Sequence, residues 1–415
     1  NNKTPMLGWV HNPFRVHSPS KAKLENRGSC MAAAAAPPPP QTHPVPQSPS
    51  PKFAALGRPG VIKKECYKDI VQTWPNEENS LPFVYHNAYN VTIFGFEKLH
   101  PFDSCKFSKV VNNLNAQGLL SYQTRDEKKQ KHSPQMVEPL MAPHEALLDV
   151  HTPKYVDAVH SSNMKVVQVT ELPPLLILPP PLLQRQVVNP MKFHAAGTML
   201  AAALAIERGW SINLGGGMHH AYANDGMGWC MFDDVHLAIR RLRTATNGAV
   251  KKVLYIDLDV HQGNGVARDK LTFKDEDLII VDVFNGGIFP KDEDAWPAIN
   301  VSVPLRSGAG DAEYLKAVRQ ALEDATQWPQ PDLVFYNAGT DVLEGDPLGR
   351  FNISAAGIQQ RDQMVFEHAL HTAKAPIVMT LSGGYAPKSS DVISASLSNL
   401  IRSFQLNAIP GSSSM

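Results

Sequence analysis

The chain has 415 residues, 43% hydrophobic and 19% charged, with 39 basic and 39 acidic side chains and a formal net charge of +0. That balance supports a large buried core, in one big α/β domain or in two or three smaller ones. It supplies no global basic field, which excludes holding nucleic acid by charge alone. No apolar run reaches the roughly 18 residues of a membrane-spanning helix. The best stretch, 173–183, is broken by Pro179, Pro180 and Pro181. Cys30, Cys66, Cys105 and Cys230 form no C-x-x-C pair. Neither a zinc knuckle nor a disulfide framework is expected, and a reducing compartment fits.

The first 60 residues hold 12 of the 34 prolines and seven basic side chains against one acid, Glu25. Five alanines at 32–36 run into four prolines at 37–40, a composition that cannot bury enough apolar surface to order itself. Residues 1–80 are therefore expected to be a disordered Pro/Ala-rich basic tail. Met31 looks like a natural start, which would place residues 1–30 outside the working protein. An organelle transit peptide is the alternative reading of the tail. Residues 81–405 are expected to form one domain, and 406–415 a short flexible end.

From about Phe83 the pattern alternates strands and helices. β-rich runs fall at 210–214, 252–258, 278–284, 333–337 and 377–381. Helical patterns fall at 192–208, ending at Gly209, and at 234–246, 311–327 and 354–374, the last capped by Ser354. This order predicts a central, mainly parallel sheet sandwiched by helices.

Four of the strands run into glycine-rich or polar loops, and in open parallel sheets ligands bind outside the carboxyl ends of the strands. Alternation along a strand predicts one face for Asp257, Asp259 and His261. Unpaired carboxylates there would be costly in a core, and a divalent ion removes that cost. Asp259, His261 and Asp341 are the expected ligands, leaving positions open for water and substrate. His219 and His220 follow three glycines and suit acid/base work, with Asp257 and Asn264 as partners that fix their tautomers. Gly383 and Gly384 bring the phenol of Tyr385 over a strand end, where it can donate to an oxyanion. Taken singly, a His-His turn or a tyrosine after a turn is more often structural; the convergence at strand ends carries the reading.

As a set, the motifs N-L-G-G-G-M-H-H at 213–220, Y-I-D-L-D-V-H-Q-G-N-G at 255–265, Y-N-A-G-T-D-V-L-E-G-D-P-L-G at 336–349 and S-G-G-Y at 382–385 resemble the histone deacetylase family. The stretches 97–103 and 171–174 are similar to its class IV. The resemblance implies the arginase/deacetylase fold, one catalytic Zn2+ on Asp259, His261 and Asp341, and hydrolysis of acyl-lysine in histones or other proteins. It implies His219, His220 and Tyr385 as catalytic residues, with Asp257 and Asn264 as dyad partners. Gly228, Trp229 and Phe289 would line the substrate channel, with Leu348 at its rim. A structural K+ would use Asp257, Asp259, His261 and Asp282. Corepressor-type protein partners and a nuclear and cytoplasmic location follow from the same resemblance, as does removal of long acyl chains. Three positions depart from the family pattern. Asn264 replaces an acid of class I, Gln262 replaces a second histidine, and Trp229 replaces a phenylalanine. The rivals within the fold are a two-manganese ureohydrolase, a small-molecule (polyamine-type) deacetylase and a silent scaffold. The missing acid at Asn264 counts against the first, and only the rim and channel distinguish the second. The retained ligands and Tyr385 count against the third.

Overall fold

The eight strands of the sheet are β1 (Ser80–Val84), β2 (Gln135–Val137), β3 (Trp210–Asn213), β4 (Val253–Asp257), β5 (Leu278–Asn285), β6 (Val301–Leu305), β7 (Leu333–Asn337) and β8 (Ile377–Thr380). They lie in the order β2-β1-β3-β8-β7-β4-β5-β6, and every ladder is parallel. These come from a computed structural model of the chain, which describes residues 53–76, 80–120 and 135–406. The described residues belong to one compact unit.

The longer helices are α1 (Lys106–Ala116), α2 (Asn189–Arg208), α3 (Asp234–Ala245), α4 (Asn264–Phe273), α5 (Asp311–Asp324), α6 (Ala355–Glu367) and α7 (Ser389–Ser403). A parallel sheet needs cover on both faces, and alternate strand residues supply two cores. Val253, Tyr255, Leu333, Phe335 and Val378 join the core shared with α2, α3 and α4. Leu254, Ile256, Val334, Tyr336 and Ile377 join the opposite one with α1, α5, α6 and α7. Each fully buried aliphatic side chain stabilises by about 1.5–3 kcal/mol. α2 is buried on nearly every side, which its alanine content permits, and it ends at Gly209 with φ 86°. Ser354 caps α6 by accepting from Gly357 N–H.

The five strands read from sequence are present, each within two residues at either end, and all five pair in parallel. The tail reading needs correction at its inner end. Phe53 packs edge-on against Phe366 and Phe404 at 5.6 Å between centroids. Ile62, Tyr67, Ile70 and Val71 are buried in the other core, and Arg58 pairs with Asp332. The domain therefore includes residues 53–76. The rest of the expected tail, 1–52 and 77–79, lies outside the described residues. Leu406 is buried, so the expected flexible end begins no earlier than 407, also outside them. No helix among the described residues is long and apolar enough to cross a membrane.

Candidate active site

The carboxyl ends of β3, β4, β7 and β8 bring the four loops to one place. β4 stops at Asp257, so strand alternation stops there too. Asp259 and His261 lie on the irregular backbone beyond it. Asp257 and Asp259 meet at one ring, that of His219: Asp257 Oδ2 lies 2.8 Å from Nδ1 and Asp259 Oδ1 3.6 Å from Nε2. Asp257 also accepts from Tyr255 Oη and Asn337 Nδ2.

Asp259, His261 and Asp341 form the second group, fully buried with ligand atoms all within 4.8 Å of one another. His261 Nδ1 lies 3.1 Å from Asp259 Oδ1 and 3.2 Å from Asp341 Oδ2. Ligands each held about 2.1 Å from one tetrahedral ion stand roughly 3.4 Å apart, so the spacing fits zinc. The electrostatics agree. Burial opposes a charge on His261, yet hydrogen bonds to Asp259 and Asp341 raise its pKa to about 10. The two carboxylates thus call for a cation at this point, and the donor set of two oxygens and one imidazole suits a divalent ion. Gly383 allows the approach: a Cβ there would stand 2.1 Å from Asp341 Oδ2 and 2.5 Å from Asp259 Oδ2.

The tandem histidine rings lie 4.0 Å apart between centroids, tilted by 42°, but sit in opposite fields. Burial disfavours charge on His219, and Asp257 and Asp259 outweigh it, raising the pKa to about 9. Burial lowers His220 well below its usual value, and His219 and His261 push it further the same way. Its Nδ1 meets Asn264 Oδ1 at 2.8 Å. The turn before them is held by Asp234, which accepts from the N–H groups of Gly217 and Met218 at 2.8 Å. Gly217 has φ 80° and a Cβ there would lie 2.2 Å from Asn337 Oδ1, so no other residue fits.

Tyr385 lies edge-on to His261 at 6.0 Å. Burial, with Asp341 and Asp259 nearby, raises its pKa well above 10, so the phenol keeps its proton. Gly228 and Trp229 line a cavity of about 50 Å³. His219, His220, Asp259 and Tyr385 share it, with Phe107, Met191 and Met218 as apolar wall. That is room for about four waters. Trp229 is buried, with φ 66°, and its ring packs on His100 and Phe102. Phe289 and Leu348 are not in that lining. Phe289 is 45% exposed, 5.1 Å from the His220 ring, and Leu348 is half-buried. Asp282, expected at a structural cation, is buried on β5 beside Asp257, its register partner on β4. One oxygen accepts from Gly263 N–H and the other has no partner.

Sequence reasoning missed three supports. Lys106 of α1 is buried and donates to Ser382 O at 2.5 Å. Burial lowers its pKa to about 8 against the pull of Asp341 and Asp259. Asp346 accepts four backbone N–H bonds, from Leu348, Gly349, Tyr385 and Ala386. Ser382 Oγ donates to Asp259 Oδ2 at 2.9 Å. Asp346 and Ser382 lie inside quoted motifs, so their position was the available signal; Lys106 had none beyond its place after the stretch 97–103.

The comparisons with known proteins fall on the same elements. The profile of the histone deacetylase domain matches residues 100–401. Histone deacetylase 2 of Arabidopsis thaliana is 41% identical over 352 residues, 84% of each chain. An uncharacterized protein of Picosynechococcus is 30% identical over 316 residues, 75% of this chain and 94% of that one. The crystal structure of the HDA15 HD domain superposes with a TM-score of 0.60 at 20% identity, covering 80% of this chain and 91% of that one, a likeness of fold. With the domain profile spanning all four strand-end loops, the chain belongs to the histone deacetylase family.

Proposed function

We propose that this chain is a zinc-dependent acyl-lysine hydrolase. The observation that carries the reading is the buried Asp259, His261 and Asp341 cluster set beside two differently poised histidines. A zinc ion held there would polarise the acyl carbonyl and acidify water. His220 is neutral, with Nδ1 committed to Asn264, so Nε2 is free to take the proton of the attacking water. Water oxygen bonds to the acyl carbon, the C–N bond breaks, and His220 returns its proton to the leaving lysine amine. His219, paired with Asp257, is held cationic and supports the developing negative charge. Tyr385 donates its phenol proton in a hydrogen bond to the tetrahedral oxyanion.

The substrates in this reading are acyl-lysines of histones or other proteins, and class IV is the class. A chromatin role, corepressor-type partners and a nuclear and cytoplasmic location belong to the same proposal. Long acyl chains are the preferred substrate. Phe107, Met191 and Met218 give the cavity an apolar side, and methionine is an adaptable packing residue. The test is an acyl-chain series on lysine peptides with metal analysis of the same preparation. Long chains are expected to be cleaved with the higher kcat/KM, and Trp229→Phe to change the chain-length profile while metal stays bound. Acetyl-lysine favoured, with no response to Trp229→Phe, would leave a plain deacetylase. Asp259→Ala is expected to lose metal and activity together; full metal occupancy in that variant would sink the assignment.

A further inference from the structure

Asn264 and Gln262, the two polar departures from the family pattern in this loop, meet at one residue that no sequence motif singles out. Asn264 Nδ2 donates to Asp292 Oδ2 at 2.9 Å. Gln262 clamps the Asp292 backbone from both sides: its Nε2 donates to Asp292 O, and its Oε1 accepts from Asp292 N–H, each at 2.9 Å. Arg268 holds the carboxylate itself, with Nε on Oδ2 at 2.5 Å and Nη2 on Oδ1 at 2.6 Å.

An asparagine beside a catalytic histidine raises an orientation problem that an aspartate does not. Both carboxylate oxygens accept, so an acid always draws the imidazole proton onto the facing nitrogen. An amide has one accepting end and one donating end of almost the same shape. Turned over, Asn264 would present N–H to His220 Nδ1. The ring would then carry its proton on Nε2, the nitrogen that must accept one from water. Asp292 removes the ambiguity, because an ionised carboxylate only accepts. With Nδ2 bound to it, Oδ1 has to face His220, and His220 has to carry its proton on Nδ1.

We propose that Asp292 is a positioning residue that locks the Asn264 amide and, through it, the tautomer of His220. The inference rests on His220 being the base of the proposed hydrolysis. Arg268 neutralises the carboxylate and Gln262 fixes its backbone, so the lock stays set on a loop that also carries Phe289.

The test is Asp292→Ala in two backgrounds, the native chain and Asn264→Asp. Beside the native Asn264 it is expected to lower kcat roughly ten- to a hundred-fold, the usual cost of losing the group that orients a metal-site histidine, with KM little changed. In the Asn264→Asp chain the aspartate needs no lock, and the loss should shrink several-fold. Imidazole nitrogen shifts of histidine-labelled protein read the tautomer without turnover. The His220 proton is expected on Nδ1 in the native chain and in both Asn264→Asp chains, and to move toward Nε2 in Asp292→Ala alone. Equal kcat losses in both backgrounds would reduce Asp292 to a loop anchor and overturn the proposal. So would an unchanged tautomer in Asp292→Ala. A native chain that holds the Nδ1 tautomer but hydrolyses no acyl-lysine would instead overturn the hydrolase reading and leave the lock standing.

Discussion

Asp269 of α4 is buried, and Ala223 N–H donates to its Oδ1 at 2.9 Å. Its other oxygen faces Asp233, the cap of α3, which already accepts from His236 twice. Burial, and then the neighbouring Asp233 charge, raises the Asp269 pKa to about 9, from about 3.9 in an unfolded chain. The folded pair therefore keeps a proton that the unfolded chain has released. The sign follows: the stability this one proton contributes is fully present below about pH 4 and is lost as pH rises toward 9, by about 1.4 kcal/mol per unit at full linkage. Asp269→Asn is the perturbation, since its amide oxygen still accepts from Ala223 N–H and its NH2 donates to Asp233 as the protonated acid does. Urea unfolding of both proteins at pH 5.5, 6.5, 7.5 and 8.5 measures the effect. Asp269→Asn is expected to be the more stable, with its advantage growing by about 1–1.4 kcal/mol per pH unit across the series. The donor atoms of Asp233, His236 and Asp269 lie close enough to hold an ion. A variant that instead lost stability at every pH and shed a bound divalent ion would refute the shared proton.

Two further outcomes follow from packing. A chain starting at Leu81 loses Phe53, Ile62, Tyr67, Ile70 and Val71 from the two cores. At about 1.5–3 kcal/mol each that is on the order of 10 kcal/mol, comparable with the whole stability of a domain. It should be insoluble or lack a cooperative melt, whereas a chain starting at Pro51 should melt within a few degrees of the full chain; an intact melt for the Leu81 start would overturn the revised boundary. Gly383→Ala places a methyl 2.1 Å from Asp341 Oδ2. It should lower metal content and kcat at least about ten-fold with the melting temperature little changed; full metal occupancy would show that the ligand loop yields.

The strand-end chemistry is legible because it demands particular side chains at particular spacings, and those lie contiguously in the chain. Strands buried on both faces read as short apolar runs, which β4, β7 and β8 are. β1 carries Pro82, an edge-type residue that argues against a strand, and β2 has only three residues, too few for any period to register. Residues 53–76 escape a sequence reading for a related reason: their buried side chains sit on 3-10 turns and irregular backbone, where neither period 2 nor period 3.6 applies. Composition averaged over a Pro-rich window is then the only signal.

The supports of the site are illegible for a different reason. Asp346 acts through four backbone N–H groups that any sequence would supply, and Lys106 through a carbonyl of Ser382, far away in the chain. What such residues leave in a sequence is a departure elsewhere that needs a compensating partner. Asn264 is the case in point: a neutral amide where an acid would orient itself calls for an acceptor on its far side, and that requirement follows from the residue types alone. The identity of the acceptor does not, because Asp292 is 28 residues away and only the return of the chain after β5 brings it there. A departure from a family pattern at a catalytic partner thus predicts the existence and chemistry of a compensating group, and the fold supplies its address.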